Sequence, residues 1–96
     1  MSTKNERQVC IVTVTGEDRV GIIARLANMM ADSQINIVDV NQKIMEDYFV
    51  MTMAIDVKDS KLEISEIREE LEKIAKDMSL NITLQDEKIF KVMHRI

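Results

Sequence analysis

The run Gln8-Val9-Cys10-Ile11-Val12-Thr13-Val14-Thr15, continued by Gly16-Glu17-Asp18-Arg19-Val20-Gly21-Ile22-Ile23, decides how this chain is read. Val9, Ile11, Val12, Thr13, Val14 and Thr15 are β-branched, and crowding at Cβ suits a strand. Apolar side chains on both faces make it a central strand. Gly16 to Arg19 breaks the pattern. Ile22, Ile23, Leu26, Met29 and Met30 then recur at helical spacing to about Asp32, and Ser33-Gln34 ends the helix. Asp18 is placed to cap that helix, because a carboxylate accepts from orphan N–H groups of a first turn.

Working outward, Asn36 to Met45 alternates. Val38, Val40 and Ile44 fall on one face and Asp39, Asn41 and Lys43 on the other, which predicts a strand with one wet face. Glu46-Asp47 is a turn. Tyr48 to Val57 is the next strand, with Phe49, Met51, Met53, Ile55 and Val57 on a fully apolar face. Ser60-Lys61-Leu62-Glu63 fits a capping box. Ile64, Ile67, Leu71, Ile74 and Met78 mark the following helix, and Glu69–Lys73 and Glu72–Lys76 are favourable pairs on its wet side. Leu80 to Gln85 alternates again, with Leu80, Ile82 and Leu84 inward. A short helix over about 87–95 presents Ile89, Phe90, Met93 and Ile96 on one face. A helix this short persists only when docked, and the open face of the sheet is the expected receptor.

The order is β-α-β-β-α-β plus a tail helix. Right-handed crossovers place both helices on one face of a four-stranded antiparallel sheet, an α+β, ferredoxin-like sandwich with strand order 4-1-3-2. The division expected is a flexible N-terminus over 1–7, one domain over 8–85 and a C-terminal helix over 86–96. Ninety-six residues with 46% hydrophobic and 31% charged side chains suit one globular unit. The net charge of −4 argues against a general nucleic-acid surface. The polar start and the lack of a long apolar run predict a cytoplasmic protein without a signal peptide or membrane span.

Catalytic constellations are nearly absent. With one cysteine, Cys10, and one histidine, His94, the chain has no intramolecular disulfide, no cysteine metal cluster and no triad that avoids His94. Cys10 reads as a small buried hydrophobe and His94 as a partly exposed helix residue. Glu66, Glu69, Glu70 and Glu72 read as a solvated helix face rather than a metal site. Most of the eight methionines read as core fillers. We therefore expect no enzyme, metal or cofactor. The segment Thr15 to Ile22 is the informative one. It joins a central strand to a helix N-terminus, where unpaired N–H groups and the helix dipole favour an anion. Gly21 either leaves room for a ligand or packs the helix on the strand.

The run from Gly16 to Ala27, followed by Ile35-Asn36-Ile37, resembles an ACT domain, a small ferredoxin-like module that commonly binds amino acids and regulates metabolic enzymes. The ending Ile89-Phe90-Lys91-Val92-Met93-His94-Arg95-Ile96 is similar to the tail of small stand-alone ACT proteins of bacteria and archaea, and the glycine-cleavage-system transcriptional repressors are looser relatives. The resemblance implies a ligand site at Asp18, Arg19, Val20 and Gly21, completed by Asn36 from across a dimer interface. Two departures stand out: some serine-binding members carry a histidine where this chain has Gly16 and an amide where it has Asp18, and the glycine that usually ends the first helix is Gln34. The implied function is a non-catalytic regulatory module that binds a small amino acid or related metabolite at a dimer interface and acts on a separate protein partner. The alternative is an interaction or assembly module with a degenerate ligand site. A homodimer is expected because the open face mixes Val9, Ile11, Val50 and Ala54 with Thr13, Thr52, Asn41 and Thr83, and because edge strands leave free N–H and C=O groups.

Overall fold

Strand β1 (Val9–Glu17) runs through the middle of the molecule, paired antiparallel to β3 (Tyr48–Asp56) on one side and β4 (Leu80–Asp86) on the other. The computed structural model describes residues 7–93. Strand β2 (Asn36–Met45) pairs with β3, so the sheet order is β2-β3-β1-β4, with β2 and β4 as edges, as the topology predicts. Helices α1 (Ile22–Asp32) and α2 (Ile64–Met78) cover one face, and a short α3 (Glu87–Met93) follows β4 directly.

The period of two in β1 and β3 builds the core. Cys10, Val12 and Val14 lie beside Phe49, Met51, Met53 and Ile55, and all are buried. Ile22, Leu26 and Met30 of α1 and Ile67, Leu71 and Ile74 of α2 close over them, with Leu80 and Leu84 from β4. The methionines at 30, 51 and 53 fill this core, as their positions suggest.

Several local expectations are corrected. Asp18 does not cap α1: the N-cap is Gly21, with φ 93°, and no side chain bonds the first turn. The Asp18 N–H is instead held by the Asp47 carbonyl at 2.9 Å, which ties the loop to the β2–β3 turn. At the other end of α1, Gln34 adopts the left-handed conformation (φ 60°) in place of a glycine, and its N–H donates to the Ala31 carbonyl at 3.1 Å. Helix α2 is capped one turn later than Ser60 suggests. Its N-cap is Glu63, whose N–H donates to the Glu66 carboxylate at 2.8 Å, while the Ser60 hydroxyl accepts the Leu62 N–H at 2.9 Å. Lys73 pairs with Glu70 at 3.1 Å rather than with Glu69.

Strand β2 differs most from its pattern. A bulge between Ile37 and Asp39 takes Val38 out of register, so Ile37, Val40, Gln42 and Ile44 share the side facing the helices. The two helices do not reach that far: Val40 is 43% and Ile44 53% exposed. The tail also departs. α3 packs against β1 and β4, with Phe90 half-buried, but Ile89 is exposed and turns toward the helix side of the sheet beside Cys10 and Ile64. The proposed flexible start falls largely on residues 1–6, outside the described residues. So do His94, Arg95, Ile96 and the Met93 side chain, on which the tail reading also drew. No helix among the described residues is long and apolar enough to cross a membrane.

Candidate functional site

At the end of β1 the chain must leave a central strand and start a helix over the same sheet. Gly16 makes the first bend, with φ 154°. A Cβ there would sit 2.7 Å from Leu80 Cδ2, the flexible end of a core side chain, which would have to shift. A histidine, which some serine binders carry at this point, would have to move Leu80 and strain a backbone held at positive φ. Gly21 makes the second bend. It has φ 93° and open space around it, with nothing within 4 Å of a built Cβ. The packing reading of Gly21 is therefore excluded, and its conformation is the reason for glycine.

Because no side chain caps α1, the first-turn N–H groups of the helix remain as donors at its positive end. They open into a cleft of about 260 Å³ lined by Asp18, Arg19, Gly21 and Ile23 on one side and by Gln42, Ile44 and Phe49 on the other. Val20 stands at the tip of the loop, fully exposed. Arg19 leans toward Glu17 at 3.8 Å, a loose surface pair worth little energetically. A second hollow of about 340 Å³ adjoins the first through Asp18, and its lining is Glu17, Asp18, Glu46 and Asp47. Glu46 holds the turn in the left-handed region, φ 58°, which brings the hairpin tip up against the loop. The cleft thus offers backbone N–H groups and one carboxylate, Asp18, which it shares with the acidic hollow beside it.

Asp18, Arg19, Val20 and Gly21 are contiguous in this loop. Asn36 is not with them in the same chain. It is in register with Asp56, at the Val9 end of the sheet, while the loop leaves the Glu17 end. Eight residue steps along β1 separate those ends, roughly 26 Å. Gln42, Ile44 and Phe49 are the cleft residues that sequence reasoning missed. The signal available was the shared face of Gln42 and Ile44, which the misplaced register of Val38 concealed.

The βαββαβ order and the antiparallel sheet define a ferredoxin-like α+β module, with a cleft at its first strand–helix junction. The model of the ACT domain family matches residues 8–85, and this chain belongs to that family. A UPF0237 protein of Methanocaldococcus jannaschii is 38% identical over 86 residues, which span 90% of this chain and 96% of the relative. An ACT domain protein from Streptococcus pneumoniae superposes with a TM-score of 0.75 at 29% identity, covering 88% of this chain and 96% of that one. A protein described as a glycine cleavage system transcriptional repressor shares the fold, with a TM-score of 0.71 at 22% identity over 81% of this chain and 44% of that one. ACT domains are regulatory, ligand-binding modules rather than catalytic ones.

Proposed function

We propose that the chain is a non-catalytic regulatory module that binds a small amino acid or related metabolite in the cleft at the start of α1, as a cytoplasmic homodimer acting on a separate protein. The observation that carries this reading is that uncapped first-turn N–H groups open into a cleft that Asp18 joins to an adjoining acidic hollow. A zwitterion satisfies both: its carboxylate meets the N–H groups and the helix dipole, and its ammonium meets Asp18 and its neighbours. A dicarboxylate would meet four like charges.

The second copy is supported by β2. Its outer edge is free, and Val40 and Ile44, both exposed on the helix side, leave an apolar strip beside the cleft. Antiparallel pairing of β2 with its twin about a two-fold axis sets the start of one strand beside the end of the other. The partner's Asn36 then approaches the Gln42–Met45 end, where the cleft lies, which supports its membership of a shared site.

The alternative, an assembly module whose ligand site has degenerated, rests on the same four carboxylates, against which Arg19, loosely paired with Glu17, is the one cation beside the cleft among its described lining residues. Thermal-shift screening against the twenty amino acids separates the two. A ligand at 100 times its dissociation constant stabilises the folded state by about 2.7 kcal/mol. A rise with one or a few amino acids supports the regulatory reading, and a flat screen supports the assembly module.

A further inference from the structure

A second cavity lies at the other end of the sheet, with a volume of about 430 Å³. Its floor is Cys10, its apolar walls are Ile64 of α2, Leu84 of β4 and Ile89 of α3, and its polar lining is Gln8, Gln85 and the two charged groups, Arg68 and Asp86. Ligand pockets of this size are mostly apolar with a few placed polar groups. Helix α3 has a part in making the cavity, because Ile89 closes it. That explains why an otherwise exposed isoleucine stands on the side of α3 turned toward Cys10.

The charges distinguish this cavity from the groove between α1 and α2, the larger hollow of about 470 Å³. There Arg25 is bound to Asp77 at 2.7 Å and Lys73 to Glu70 at 3.1 Å, and with Lys76 and Asp32 the lining carries three cations against three carboxylates. Arg68 is different. One N–H donates to the Leu84 carbonyl at 2.9 Å, which fixes the guanidinium at the cavity rim, and among the described residues no carboxylate forms an ion pair with it. A guanidinium carries five donors, so four remain. Asp86 has one oxygen engaged by the Lys88 N–H at 2.8 Å and adds a single negative charge beside the cavity. Burial pushes the Cys10 thiol up, with Asp86 raising it further and Arg68 opposing, in keeping with the place of both charges around the cavity floor.

We infer that this cavity is a second small-molecule site, separate from the loop cleft, that takes a monocarboxylate with a short branched aliphatic body. The carboxylate binds Arg68, the aliphatic body packs on Ile64, Leu84 and Ile89, and Asp86 disfavours a second negative charge. The inference does not rest on the function proposed above, because no residue is shared between the two sites.

The test is a titration of the full chain with 4-methylpentanoate, followed through the methyl resonances of Ile64, Leu84 and Ile89. Saturable shifts with a dissociation constant on the order of 1 mM fit a ligand of this size. The uncharged alcohol 4-methylpentan-1-ol and the dicarboxylate 3-methylglutarate each bind at least about tenfold more weakly. Arg68→Gln weakens 4-methylpentanoate by about the same factor, and Arg68→Lys, which keeps the charge, recovers most of the affinity. The inference is overturned by an absence of saturable shifts, by equal binding of the alcohol or of the dicarboxylate, by unchanged affinity in Arg68→Gln, or by shifts confined to Ile22 and Ile23 at the loop.

Discussion

The two edge strands of this sheet are treated in opposite ways. At β4 the Leu84 carbonyl is taken by Arg68, the strand is seven residues long, and the chain turns at once into α3. At β2 the strand is ten residues long, its apolar side chains stand in solvent, and the Val40 N–H is met only by the neighbouring Asp39 carboxylate at 2.9 Å. Proteins commonly blunt an edge with charged side chains, short strands or a covering element, since an open edge invites another strand. β4 has all three protections. β2 has one bulge and Lys43. The contrast is the reason the open edge is assigned to the second copy in the proposed dimer, and it is the edge next to the loop cleft.

The largest effect should come from charging the open edge. Val40→Asp places a carboxylate where two copies of β2 would meet, and association should weaken by at least about 100-fold, measured by analytical ultracentrifugation. Val40 is 43% exposed, so the monomer should remain folded by circular dichroism. Thr83→Asp on β4 should leave association unchanged. Equal effects at both edges would erase the distinction.

Next in size is the tail that guards β4. Phe90→Ala should cost about 1–2 kcal/mol in urea denaturation, less than the full burial of a phenylalanine, because Phe90 is only half-buried. Dimer strength should be unaffected. Weakened association would mean that α3, not β2, faces the partner.

At the loop, Gly21→Asn adds a side chain while tolerating the left-handed backbone, which a valine would not. Affinity for whichever amino acid the screen identifies should fall by about tenfold or more, with the melting temperature nearly unchanged. Retained affinity would remove Gly21 from the site.

The smallest effect concerns the Cys10 end. Burial holds the folded thiol above its unfolded value, so the folded state keeps a proton that the unfolded chain loses. This contribution is complete below the unfolded value and is lost as pH rises through the folded one. Wild-type stability should therefore fall more steeply than that of Cys10→Val as pH rises above about 9. Parallel slopes would show that the thiol ionises alike in the folded and unfolded states, and that burial does not hold it up.

Much of this was legible in the residues. The alternation in Tyr48–Val57 and the β-branched run from Val9 fixed the central strands, and the strand order followed from the handedness of the crossovers. What escaped was whatever depends on a single backbone angle. Asp18 looks like a cap because caps are short acceptors before an apolar period, yet Gly21 takes that place by turning left-handed. Ser60 looks like the start of a capping box, and its hydroxyl serves a local turn instead. The bulge at Val38 left no mark in the alternation, because Ile37 and Val38 are equally apolar. The loop residues of the candidate site were recognisable as a segment. Their opposite wall on β2 was not, since that pairing depends on the register.

Affinity of the wild-type protein and of Val40→Asp for the same amino acid, compared by isothermal titration, tests the central claim most directly. Val40 does not line the cleft, so its loss acts only through the second copy. A site completed by the partner's Asn36 predicts binding at least about tenfold weaker in the monomeric variant, with the cleft itself intact. Equal affinity in monomer and dimer would contradict the account and place the whole site within one chain.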